Sequence, residues 1–197
     1  MIHRLLVFLL LAGGVFADMA TGGKVPDFTL PSVDGKNVHL ADFAGKTVVL
    51  EWTNPECPFV QKHYRDGDMQ ALQKEFTDKG VIWLSINSTN PQHPNYMTPA
   101  QADARARQMH VHATAVLQDA DGRVGKVYGA KSTPHMFIID PRGVLVYQGA
   151  IDNQPSPNGS PKQAKNYVRA ALDEVLAGKP VSEATTKQYG CGVKYAD

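Results

Sequence analysis

Apolar residues along the chain come in short runs that alternate with helical patterns. Near the start, "PDFTLPSVDGKNVHL" holds two extended runs around Asp34-Gly35. Asp-Gly between such runs predicts a hairpin. "KTVVLEWT" is β-branched and apolar throughout, the mark of a buried central strand. From Cys57 to about Lys79 the pattern turns helical, with Met69, Leu72 and Phe76 on one face. "GVIWLSIN" is a second apolar strand, and "STNPQHPNYMTP" a polar, proline-studded loop. Thr98 then caps a helix whose first position is Pro99. "TAVLQD" predicts a short strand and "DADG" a turn; "HMFIID" and "VLVYQGAI" flank "PRG" as a hairpin. A last helix runs through "PKQAKNYVRAALDEVLAGKP", with Val168, Leu172 and Val175 inward and Gly178 and Pro180 ending it. The tail from Lys179 to Asp197 shows no core pattern.

The order is a hairpin, then β-α-β-α, then β-β-α. The first part implies parallel strands joined by crossover helices, and the last adds an antiparallel pair and a covering helix. The expected class is α/β with a central mixed sheet and an N-terminal β-hairpin extension. A chain of 197 residues suits one domain with a proper core.

Composition narrows the function classes. The 43% hydrophobic and 20% charged fractions suit a soluble globular protein, and a net charge of +1 without a basic block argues against nucleic acid. At the start, a short basic region with Arg4 precedes an apolar run from Leu5 to Phe16 and "VFA". This reads as a secretory leader over residues 1–17, cut after Ala17. The alternative is a membrane anchor, but the run is shorter than the roughly 20 residues of a span. No later stretch is apolar enough for stable membrane insertion. The expected divisions are the leader, a domain over 18–178 and a tail over 179–197 that carries Cys191.

Export bears on the two cysteines, Cys57 and Cys191, because an oxidising compartment lets thiols pair. Cys57 sits where a strand ends and a helix begins, with Pro58 suited to the first helical position. There the free N–H groups and the helix dipole stabilise a thiolate, the nucleophilic form. Glu56 opposes that effect, and a buried inert cysteine is the alternative. Cys191 lies in "YGCGVKY", where flanking glycines make the backbone permissive. The stretch from Gly178 spans up to about 43–47 Å when extended. A domain of this size has a radius of gyration of about 15 Å, so Cys191 reaches Cys57 in its own chain or a partner's. A plain structural staple and an incidental tail cysteine are the alternatives.

"VPDFTLPSVDG", "LADFAGKTVVL", "CPFV" and "STPHMFIIDPRG" occur in order over roughly residues 24–178. In this the chain resembles the thioredoxin-fold redoxins of the peroxiredoxin-like alkyl hydroperoxide reductase/thiol-specific antioxidant group. The resemblance implies a three-layer thioredoxin-like fold, with Thr133 and a cis Pro134 facing the active Cys57. It also implies a buried proton-shuttling acid at Glu51 and a resolving role for a C-terminal cysteine, here Cys191. Two departures stand out. Thioredoxins carry a second cysteine where this chain has Val60, so cycling within one motif is excluded. The peroxiredoxin proline and threonine places hold Leu50 and Asn54, and Pro134 stands near the arginine place. Asn54 keeps a side chain able to hydrogen-bond a substrate oxygen.

Two functions are expected from this. One is an exported thiol oxidoreductase without a cofactor. Cys57 attacks a small oxidant or a protein thiol or disulfide substrate, Cys191 resolves, and an external thiol reductant resets. The other is a copper or zinc chaperone-like protein using Cys57 and His135, a soft ligand pair. His63 falls about 240° round the helix from Cys57 and does not share its face.

Overall fold

The structure is a computed structural model that describes residues 19–196. The expected leader lies outside the described residues. The hairpin forms as expected, with β1 (Thr29–Pro31) antiparallel to β2 (Asn37–His39). The central sheet has the order β5-β4-β3-β7-β8. Its strands are β3 (Val48–Trp52), β4 (Ile82–Asn87), β5 (Ala115–Gln118), β7 (His135–Ile139) and β8 (Leu145–Gly149). β3, β4 and β5 are parallel, whereas β7 is antiparallel to β3 and β8 to β7. Every residue of β3 is buried, as its unbroken apolar run requires of a central strand.

Two apolar layers cover the two faces. Val49, Trp83, Met136 and Ile138 pack with residues of α1 (Pro58–Arg65), α2 (Asp68–Asp78) and α5 (Tyr167–Leu176). Leu50, Trp52, Leu84, Ile86 and Phe137 pack with α4 (Arg123–Tyr128) and the hairpin's Phe28 and Leu30. The α3 helix (Pro99–Gln108) lies at the β5 side of the sheet. Fully burying a side chain such as Phe76 or Leu172 contributes about 1.5–3 kcal/mol. Because strand side chains alternate, Glu51 shares Val49's face and points at the α1/α2 layer. A mixed sheet layered between helices, with a cysteine at a helix start beside a cis proline, is the thioredoxin-like fold.

Four expectations change. The helical pattern after Cys57 is two helices, because Gly67 takes φ 80°, a left-handed geometry that α-helix cannot continue. The last helix starts only at Tyr167, where the Asn166 side chain accepts the Arg169 N–H as a cap. The short α4 went unread in the sequence. Its start is held from just upstream: Asp119 accepts the N–H groups of Val124 and Gly125. The tail, which has no core pattern in sequence, is pinned along its length. Thr186 Oγ1 meets Tyr147 and the Ala150 N–H, and Tyr195 donates to the Ala130 carbonyl. Between these points β9 (Cys191–Gly192) pairs antiparallel with β6 (Ser132–Thr133).

Candidate active site

Cys57 is the N-cap of α1, with extended dihedrals, and Pro58 holds the first helical position. The turn before it is fixed by Asn54. Its Oδ1 accepts the Glu56 N–H at 2.9 Å, and its Nδ2 donates to Thr89 at 3.1 Å. Asn54 is buried and holds this turn, with its oxygen and one amide N–H engaged. Glu56 lies 3.5 Å from Arg105, which offsets its opposition to a nearby thiolate.

Cys57 is 3% exposed, because the tail lies over it. The β6/β9 register sets Cys191 opposite Thr133, next to the cis Thr133–Pro134 bond. The two free thiols face each other with sulfurs 2.7 Å apart. Cys57 Sγ also donates to the Thr133 carbonyl at 3.0 Å, and Thr133 Oγ1 to the Cys191 carbonyl at 3.4 Å. Gly190 makes this approach possible. Its φ is 131°, and a Cβ there would run into the Thr133 carbonyl oxygen.

The two thiols are electrostatically unequal. Burial pushes Cys57 up, but hydrogen bonds from Cys191 and Thr133 and from the Cys191 and Val60 N–H groups outweigh it, so the net is down. Burial, then the hydrogen bond and charge of Cys57, push Cys191 up to about 11. Of the two, Cys57 is the more readily ionised thiol and Cys191 the less. We expect Cys57 in a Cys191→Ser variant, where a hydroxyl remains as donor, to alkylate with a midpoint below the free-thiol value of about 8.5. A pH profile of alkylation rate checks this, and a midpoint at or above that value would refute the activated thiolate.

Glu51 is fully buried. Its Oε2 accepts from Trp83 Nε1, Ser85 Oγ and Gln73 Nε2, and its Oε1 from Tyr64. Burial pushes its carboxyl up, against the four donors that pull it down. Both of its carboxylate oxygens are thus held in a buried cage of four donors.

His135 is buried, its ring centroid 4.4 Å from Phe137, and its Nδ1 accepts the Lys131 N–H at 3.3 Å. No cluster of three or more His, Cys, Asp or Glu side chains suited to a metal occurs among the described residues. The Cys57–His135 alternative therefore gains no support. His63 is turned to the tail instead. Its Nε2 lies 3.2 Å from the Tyr189 hydroxyl, and burial and then the Lys62 charge push the imidazole down to about 3. Sequence reasoning missed Tyr189, Asp152 and Lys62. The only signal was an aromatic two places before Cys191, whose partners lie far away in sequence.

Several known proteins resemble this chain in sequence and fold. The Thiol-disulfide oxidoreductase ResA of Bacillus cereus is 27% identical over 161 residues, covering 75% of this chain and 86% of that protein. The solved structure of a hypothetical protein from Sinorhizobium meliloti 1021 superposes with a TM-score of 0.81 at 28% identity, over 91% of this chain and 97% of that one. An uncharacterized conserved protein from Geobacillus kaustophilus gives 0.78 at 30% identity, over 90% and 93%. The AhpC/TSA family pattern matches residues 21–148, a span that holds Cys57, Glu51 and Pro134 and stops short of Cys191. Because that pattern spans well over half of the 197 residues, this chain belongs to the AhpC/TSA family.

Proposed function

We propose that the protein is an exported thiol oxidoreductase that exchanges disulfides through Cys57 and closes each cycle with Cys191. The observation that carries this is the Cys57–Cys191 contact at the start of α1, with the two sulfurs 2.7 Å apart. The Cys57 thiolate attacks one sulfur of a partner disulfide, and the partner's other sulfur leaves as thiolate. Deprotonated Cys191 then attacks Cys57 Sγ, the partner's second thiolate leaves, and a Cys57–Cys191 bond remains. An external dithiol, itself oxidised to a disulfide, returns both cysteines to thiols. Thr133 and Pro134 frame the sulfur, and Glu51 serves as the proton reservoir, since a caged carboxyl with a raised pKa suits transfer near neutral pH.

The relatives named as thiol-disulfide oxidoreductases support exchange with protein thiols. The leader pattern supports export, and no described helix is long and apolar enough to cross a membrane. The family match favours a second substrate, a peroxide. There the Cys57 thiolate attacks an O–O bond and releases an alcohol or water, and Cys191 then displaces water from the sulfenic acid. The engaged Asn54 and the absent arginine make exchange the better reading.

Peptide mapping after one equivalent of a small disulfide, and separately of peroxide, tests the scheme. We expect a Cys57–Cys191 bridge in both, forming faster with the disulfide. Oxidation that stops at Cys57, with Cys191 still a free thiol, would refute it.

A further inference from the structure

The tail does more than carry Cys191: two residues before it, Tyr189 closes over an ion pair in the α1 layer. Lys62 on α1 and Asp152 after β8 are both fully buried, with Lys62 Nζ 3.8 Å from Asp152 Oδ1. Lys62 also donates to the Gln154 carbonyl, and Asp152 Oδ1 accepts the Gln154 N–H. Asp152 Oδ2 is buried without a hydrogen-bond partner. The remaining contacts come from the tail. The Tyr189 hydroxyl donates to Asp152 Oδ1, its ring lies 4.8 Å from Lys62 Nζ, and His63 reaches the same hydroxyl. Phe59 packs against that ring at 5.9 Å.

Buried charges are costly unless paired and hydrogen-bonded, and a hydrogen bond to a charged group is among the stronger single contacts. Tyr189 is thus a hydrogen-bonding roof on a charge pair that would otherwise open to water. Burial pushes the phenol up, so it stays a donor. The next two residues are Gly190, tight against Thr133, and Cys191. No flexible spacer separates the roof from the sulfur, so the seat of Tyr189 and the position of Cys191 are coupled.

We propose that Tyr189 is a positioning residue: it latches the tail onto the Lys62–Asp152 pair, and so sets how long Cys57 stays covered and how firmly Cys191 bonds to it. The proposal rests on the reading of Cys191 as resolving thiol, but its core is tested without that reading. With the latch seated, Cys57 is covered; with it lifted, substrate reaches Cys57; reseating it presents Cys191 to the oxidised sulfur. The Tyr189 hydroxyl tunes that equilibrium.

The variant is Tyr189→Phe, which keeps the ring over Lys62 and removes only the hydroxyl. In a Cys57→Ser background no bridge can form, and alkylation of Cys191 reports tail release alone. There we expect the added Tyr189→Phe to speed alkylation by about tenfold, the scale of one hydrogen bond to a charged group. In the chain with both cysteines we expect Tyr189→Phe to weaken the Cys57–Cys191 bond about tenfold against a glutathione couple. The same change should speed Cys57 alkylation in the reduced protein. A merely structural tyrosine would lower the urea midpoint and leave all three thiol readouts unmoved. Unchanged Cys191 alkylation in the Cys57→Ser background overturns the latch, whatever Cys191 does in redox chemistry. Faster alkylation with an unchanged bond stability overturns its positioning role. If wild type forms no bridge at all, the resolving role fails, and the Cys57→Ser arm still decides whether Tyr189 holds the tail.

Discussion

Cys191→Ser will leave Cys57 unable to close its cycle, and steady turnover with a disulfide substrate and an external dithiol will fall by on the order of 10²-fold or more. A fixed intramolecular partner reacts at effective concentrations far above those of a dissolved thiol, and Cys191 is held 2.7 Å away. The first chemical step will survive, because serine still offers a donor to the Cys57 thiolate. The variant will therefore show one fast stoichiometric reaction and then stall, with a mixed disulfide at Cys57, or a sulfenic acid after peroxide. Single-turnover and steady-state rates, followed by intact mass, separate the two phases. If the variant turns over as fast as wild type, Cys191 is incidental and Cys57 works alone with an external thiol.

Glu51→Ala will have the largest effect on stability, a loss of about 3–5 kcal/mol. It opens a cavity under the sheet and strands the donors of Trp83, Ser85, Gln73 and Tyr64 in an apolar layer. Glu51→Gln keeps the volume, and its amide oxygen can still accept from several of these donors. The two variants therefore split packing from charge. The folded state raises the Glu51 pKa above its ordinary value of 4.5, so it binds that proton more tightly than the unfolded chain does. That contribution is full below about pH 4.5 and is lost as pH rises through the raised value. Glu51→Gln has no such loss, so its stability relative to wild type will improve as pH climbs through this window. Urea titrations across that range check the sign, and a gap that narrows toward low pH in favour of the glutamine variant would contradict a caged, proton-holding carboxyl. The same variant tests the proton reservoir, since exchange will slow by on the order of 10²-fold if Glu51 moves protons.

The parts legible in sequence are those that local physics writes into neighbouring residues. The β3 and β4 runs announce buried strands, Asp34-Gly35 a hairpin, and Thr98-Pro99 a helix start, where the structure has a capping box with Gln101. The Cys57-Pro58 junction placed the candidate nucleophile at a helix start from two residues alone. Gly67 alone does not announce a break, because whether a glycine bends a helix or ends it depends on where α2 must pack. Asn54 shows the same limit. Its spacing from Cys57 suggested a substrate contact, but Thr89, on a distant loop, claims its amide.

By itself, then, the sequence determined the order of the hairpin and the five central strands, the Cys57-Pro58 junction, the absence of a second cysteine at Val60, and the chemical identity of Cys191 as the other thiol. Only the tertiary structure decided that Cys191 meets Cys57, that Glu51 is caged rather than exposed, and that Tyr189 roofs the Lys62–Asp152 pair. The reason is physical. The tail is held by backbone pairing with Ser132 and Thr133, which any residue can provide and no side-chain pattern advertises. Its other anchors, at Asp152, Tyr147 and Ala130, lie far back along the chain and come together only once the sheet has formed.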